Sequence, residues 1–151
     1  MTKLIEVKPR DPRFRAYLRL ASREWPWFGA VAIAATARPD TTVMVLEEQG
    51  EVVAGALLTG RPANLFRQGS QRALARRLCS EGRLNLSYFA VRRGRRGLGH
   101  GRRFVRAVAE RRSFWLACDP TLDDFYHRCG LTTVPDDARF RVSPMESNGT
   151  R

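Results

Sequence analysis

The sequence has little lysine, histidine and cysteine, and each shortage excludes something. Lysine occurs only at Lys3 and Lys8, so arginine supplies nearly all of the 27 basic residues in a chain of 151. Histidine is confined to His100 and His127, and cysteine to Cys79, Cys118 and Cys129. These residues share no ligand spacing, which argues against zinc or any other metal. Three thiols without paired spacing argue against a disulfide framework and for a reducing, cytoplasmic setting. No apolar run approaches the roughly 20 residues of a membrane span. Met1–Glu6 lacks the apolar core of a signal peptide. The expectation is a cytoplasmic protein with no membrane contact.

Positive charge is abundant instead. The net charge is +12, and guanidinium groups donate paired hydrogen bonds to phosphate. The excess over carboxylates favours a polyanionic partner, either a phosphorylated cofactor or nucleic acid. With 43% apolar residues, the chain can bury a core as one domain without a staple. That domain is expected over residues 1–145, with 146–151 as a disordered tail.

Periodicity orders the elements. Lys3–Lys8 reads as a strand, and Asp11-Pro12 opens a helix as N-cap and first helical residue. Trp25-Pro26-Trp27-Phe28-Gly29 interrupts it, and Ala30–Ala37 is a second helix. Thr42–Glu48 and Val52–Leu58 form a hairpin across Gln49-Gly50. Ser70–Cys79 reads as a basic helix. Leu84–Val91 is a strand in which Leu84, Leu86, Tyr88 and Ala90 alternate with Asn85, Ser87, Phe89 and Val91. Gly99–Arg112 is helical, Ser113–Cys118 a strand, and Thr121 caps a helix that ends at Gly130. Arg139–Val142 is a last edge strand. Helices interleaved with hairpin-linked strands predict a mixed sheet in an α+β or α/β sandwich.

The loop Arg96-Gly97-Leu98-Gly99-His100-Gly101 lies between a strand and a helix. Glycines there let the backbone approach a ligand, and the N–H groups of the helix start favour an anion. A pyrophosphate is the natural occupant, with Arg96, Arg102 and Arg103 as further donors. The loop lacks the Gly-Lys-Ser/Thr ending of a Walker motif, and its glycine spacing differs from a dinucleotide fingerprint.

Val91-Arg92-Arg93-Gly94-Arg95-Arg96-Gly97-Leu98-Gly99-His100-Gly101 resembles the acyl-CoA signature of the GCN5-related N-acetyltransferase (GNAT) superfamily. The hairpin Val43–Leu58 resembles that family's second and third strands, and Phe125-Tyr126-His127-Arg128-Cys129-Gly130-Leu131 its motif near the C-terminus. The resemblance implies a mostly antiparallel central sheet flanked by helices, with a splayed fourth strand. It implies acetyl-CoA as co-substrate and N-acetyl transfer by direct attack of an amine. Phe89, Ala90 and Val91 would pair with the pantetheine arm. Arg96, Gly97, Leu98, Gly99, His100, Gly101 and Arg102 would hold the pyrophosphate, and Asp119 would accept from pantetheine amides. Tyr126 would act as general acid towards the departing thiolate. Trp25, Trp27 and Phe28, with Ser87, would line the acceptor pocket.

The chain departs from the family where a glutamate often serves as general base. Leu84-Asn85-Leu86-Ser87-Tyr88-Phe89 carries no carboxylate, leaving Glu24 and Glu81 as outlying candidates. The absence favours a weakly basic acceptor such as an α-amine, with a pKa near 8, over lysine near 10.4. Several readings stay open beside a small-molecule acceptor. The size and charge resemble the tRNA-acetylating toxins, which would make an aminoacyl-tRNA the acceptor. Arg92–Arg96 could instead be a nucleic-acid-binding strip without catalysis, or the chain a CoA sensor. A homodimer is compatible with all of these.

Overall fold

The computed structural model describes residues 2–61, 69–94 and 99–144. The expected tail at 146–151 lies outside the described residues. The elements run β1 Thr2–Val7, α1 Pro12–Glu24, α2 Phe28–Thr36, β2 Thr41–Glu48, β3 Glu51–Thr59, α3 Gly69–Ser80, β4 Leu84–Val91, α4 His100–Arg111 and β5 Phe114–Ala117. A short 3-10 turn, Pro120–Leu122, then leads into α5 Asp123–Arg128, β6 Thr132–Val134 and β7 Asp137–Val142. The strands form a seven-stranded sheet in the order β1-β2-β3-β4-β5-β7-β6. Only β4 and β5 pair in parallel, and every other neighbouring pair is antiparallel. This is the mixed, mostly antiparallel α+β sheet that the sequence predicts.

Local chemistry sets several boundaries. Asp11 caps α1 by accepting from the Arg13 N–H at 2.9 Å. Gln49 and Gly50 have φ of 51° and 78°, as a two-residue hairpin turn of the primed type requires. Three expectations need correction. The strand expected at Arg139–Val142 is not at the edge: β7 pairs with β5 on one side and β6 on the other, and β6 is the edge strand. Thr121 does not cap α5: Asp119 accepts from the Thr121 N–H at 2.9 Å and caps the 3-10 turn instead. β6 was not expected, because three residues are too few to show an alternation.

Both faces of the sheet are covered. Met44, Leu46, Val53, Ala54, Ala56, Leu58 and Leu86 pack with Phe104, Val105 and Val108 of α4 and Tyr126 of α5. Val43, Val45, Val52 and Leu57 pack on the opposite face with Phe14, Tyr17, Leu20 and Ala21 of α1 and with Phe28 and Ala32 of α2. Leu74, Ala75 and Leu78 of α3 pack on Trp115 and Phe140. Trp115 pairs with Asn85, Asn85 with Thr59, and Ser87 with Leu57. Paired residues share a face, so α3 lies on the same side of the sheet as α1 and α2.

A bulge breaks the alternation predicted for β4. Ala90 pairs with Gly55 and Ser87 with Leu57, so Tyr88 and Phe89 together oppose Ala56. Tyr88 takes φ of 51°. The extra residue reverses the parity. Phe89 and Val91 therefore join Leu84 and Leu86 on the α4 side, while Tyr88 and Ala90 join the α1 side. Tyr17 secures the bulge by donating from its hydroxyl to the Tyr88 carbonyl at 2.8 Å.

Candidate functional site

β4 and β5 pair only at Leu84↔Phe114 and Asn85↔Trp115. Leu86–Val91 has no partner in β5, so the strands part towards the C-terminal end of β4. There Val91, Gly99, Gly101, Arg102, Thr121, Asp124, Phe125 and Arg128 line a cleft of about 600 Å³. The unpaired edge of β4 offers backbone donors and acceptors to an extended amide chain, as an added strand would use them.

The start of α4 forms the end of this cleft. Gly99 is its N-cap, with φ of 78°, and no side chain caps the helix. Among the described residues no side-chain cap accepts from the first N–H groups of α4, which stand at the positive end of the helix dipole. Gly101 lies two positions on, after His100. A Cβ there would stand 3.3 Å from Val91 Cγ2 and 3.4 Å from both Phe125 Cζ and Phe89 Cζ. Its missing side chain thus keeps the cleft floor at backbone height. Arg102 is exposed at the rim. His100 turns the other way: it is 3% exposed, with Nε2 2.8 Å from Glu48 Oε2. Its side chain faces β2, and only its backbone belongs to the loop. Arg96, Gly97 and Leu98 lie outside the described residues.

Phe89 stacks on Phe104 at 5.3 Å between centroids and, more distantly, on Phe125. Tyr126 is 7% exposed on α5, edge-to-face with Phe125 at 5.0 Å. Burial holds its pKa well above the usual tyrosine value, and the neighbouring Cys118 and Cys129 add to this. Burial likewise raises the pKa of all three thiols, so none is an activated nucleophile. Among the described residues no group of three or more His, Cys, Asp or Glu is placed to hold a metal ion. No described helix is long and apolar enough to cross a membrane.

On the other side of β4, Trp25 meets Tyr88 edge-to-face at 5.2 Å. Trp27 is 58% exposed at the start of α2. Phe28 is fully buried against Tyr17 and Tyr88, so it serves the core rather than an open pocket wall. Ser87 Oγ is buried and makes no hydrogen bond among the described residues.

The family model for the acetyltransferase (GNAT) family matches residues 4–131. The chain belongs to the GNAT family. Solved structures share its fold. A ribosomal-protein-S18-alanine N-acetyltransferase from Escherichia coli is 13% identical, with a TM-score of 0.65, over 100% of this chain and 99% of the other. A GNAT acetyltransferase from Brucella melitensis, solved in complex with acetyl-CoA, is 19% identical with a TM-score of 0.64, over 97% and 90%. An acyl-CoA N-acyltransferase from Pseudomonas aeruginosa is 17% identical with a TM-score of 0.57, over 94% and 97%. The comparison with curated proteins gave no match. As a GNAT protein the chain is an acyltransferase that works with an acyl-CoA.

Of the site residues named from the sequence, Val91, Gly99, Gly101 and Arg102 come together in the cleft, with Phe89 beneath Gly101. Ala90 is buried on the α1 side. Asp119 is exposed, and its Oδ1 already accepts from the Thr121 N–H and hydroxyl. These bonds lower its pKa. Glu24 lies 3.8 Å from Arg93 at the end of α1, and Glu81 lies 3.8 Å from Arg83 beyond α3. Sequence reasoning missed the pair that shapes β4, Tyr17 and Gly55. A Cβ on Gly55 would stand 2.5 Å from Tyr17 Cδ1. Its one signal is a glycine inside a strand, which marks close approach of another group.

Proposed function

We propose that the protein transfers an acetyl group from acetyl-CoA to an amine. The uncapped start of α4 beside the unpaired edge of β4 carries this reading. Val91 and its neighbours would hold the pantetheine arm by their backbone, and Gly99 to Arg102 the pyrophosphate. Acetyl-CoA supplies an activated thioester carbonyl. The amine nitrogen attacks that carbon, the C–N bond forms, the C–S bond breaks, and the sulfur takes a proton while the nitrogen loses one.

Tyr126 is the proposed donor to the sulfur. Its raised pKa keeps the hydroxyl protonated across the neutral range. It therefore donates a hydrogen bond to the developing thiolate and hands over its proton only as another reaches it from the nitrogen. The inert thiols support direct attack over a cysteine acyl-enzyme. β4 offers no carboxylate base, which favours an acceptor already partly neutral near pH 8, such as an α-amine. An amine carried on tRNA is the second reading, favoured by the net charge of +12. The free thiols fit a reducing, cytoplasmic compartment.

Calorimetric titration with acetyl-CoA tests the first half, with micromolar binding as the expected result. A thiol-release assay over an amine panel that includes aminoacyl-tRNA tests the second. Absence of acetyl-CoA binding would overturn the proposal.

A further inference from the structure

Every described carboxylate except Glu110 and Asp119 lies within ion-pair distance of an arginine or of His100. The negative charge is thus largely spent on particular partners. Arg15, Arg19 and Arg23 of α1 receive none of it, and neither do Arg72 and Arg76 of α3, among the described residues. All five are exposed.

Their spacing makes two rows. Arg15, Arg19 and Arg23 recur every four residues on the side of α1 opposite Tyr17, which is buried against the sheet. Successive members stand roughly 6 Å apart along the axis. Arg72 and Arg76 repeat the spacing on α3, away from the buried Leu74, Ala75 and Leu78. Like charges at this spacing destabilise a helix, so neither row serves the fold of its own helix. Both helices lie on the same face of the sheet, on either side of β4. Glu24, the carboxylate of α1, sits off the row and against Arg93.

We infer that the outer surfaces of α1 and α3 together bind the phosphodiester backbone of a nucleic acid. Regular rows of planar, bidentate donors suit a chain of phosphates, which carries one charge about every 3.4 Å of axis per strand. The surface is separate from the acyl-CoA cleft, which α4 and α5 border on the other face. It stands whether or not acetyl transfer is the reaction, because it is read by binding alone.

The test is fluorescence anisotropy with labelled deacylated tRNA and a labelled DNA duplex over a series of salt concentrations. Five phosphate contacts predict a slope of log K against log salt of roughly −4 to −5. Arg15→Gln/Arg19→Gln/Arg23→Gln should weaken that slope by about 3, and Arg72→Gln/Arg76→Gln by about 2. The charge-matched control Arg106→Gln/Arg112→Gln, on α4 and just after it, should change it less than the α3 pair does. Thermal melts should show the row variants as stable as the parent or more so, since like-charge neighbours are removed. Three results would each overturn the inference. The parent chain could bind neither probe, the control could lose as much as the α3 pair, or polyglutamate could compete as well as RNA at equal charge.

Discussion

On the α4 side of the sheet the cleft exposes backbone at Gly99 and Gly101; the α1–α3 side presents long side chains. The cleft is built from absences: no Cβ at Gly99 and Gly101, no side-chain cap on α4, and no β5 partner for Leu86–Val91. The opposite face carries aromatic groups at Trp25 and Trp27 and rows of long cations. Backbone donors are fixed by the fold and suit a ligand of constant chemistry, such as the pyrophosphate and amides of CoA. Exposed side chains adapt more freely and suit the partner that differs from one family member to another.

The sharpest way to break this comparison is to give the cleft a side chain. Gly101→Leu should raise the Kd for acetyl-CoA at least about 100-fold, or about 2.7 kcal/mol, because the added atoms enter the space between Val91, Phe89 and Phe125. Nucleic-acid binding should be unaffected. Calorimetry with unchanged acetyl-CoA affinity would remove Gly101 from the cleft's floor.

Next in size is Tyr126→Phe, expected to lower kcat about 30- to 100-fold with acetyl-CoA affinity preserved. The raised pKa gives a further sign. As pH rises from 7 to 10 the folded Tyr126 keeps its proton, so its ionisation contributes no fall in kcat. A descending limb below pH 10 that disappears in Tyr126→Phe would show a freely ionising phenol instead.

Gly55→Ala should act on the α1 side, where Tyr17 packs. Its Cβ collides with the Tyr17 ring, and overpacking of this kind costs about 1–3 kcal/mol. Chemical denaturation would show it as a lower midpoint, and equal stability would mean that Tyr17 can move. Tyr17→Phe should have the smallest effect, about 1 kcal/mol from the lost hydrogen bond to Tyr88. Burial holds the Tyr17 pKa well above its usual value of 10. Its stabilising share is therefore fully present below pH 10 and is lost above it, as the unfolded chain ionises. Tyr17→Phe should lose less stability than the parent between pH 9 and 11.

Signals that act within a few residues were legible in the sequence. Asp11-Pro12 gave the start of α1, Gln49-Gly50 the hairpin, and Gly99 the start of α4, because φ preferences and caps are local. Non-local pairing was not legible. The alternation drawn through β4 failed at Tyr88, since a bulge exists only relative to the partner strand. The resemblance put Phe28 in a pocket wall, and its contacts with Tyr17 and Tyr88 made it core.

The amino-acid sequence by itself determined the order of elements, the glycine loop and the surplus of arginine, for each is a property of neighbouring residues or of composition. Only the tertiary structure decided which arginines meet no carboxylate among the described residues, that α1 and α3 share a face, and that β4 parts from β5 after Asn85. Those facts depend on what the sheet brings together from distant parts of the chain.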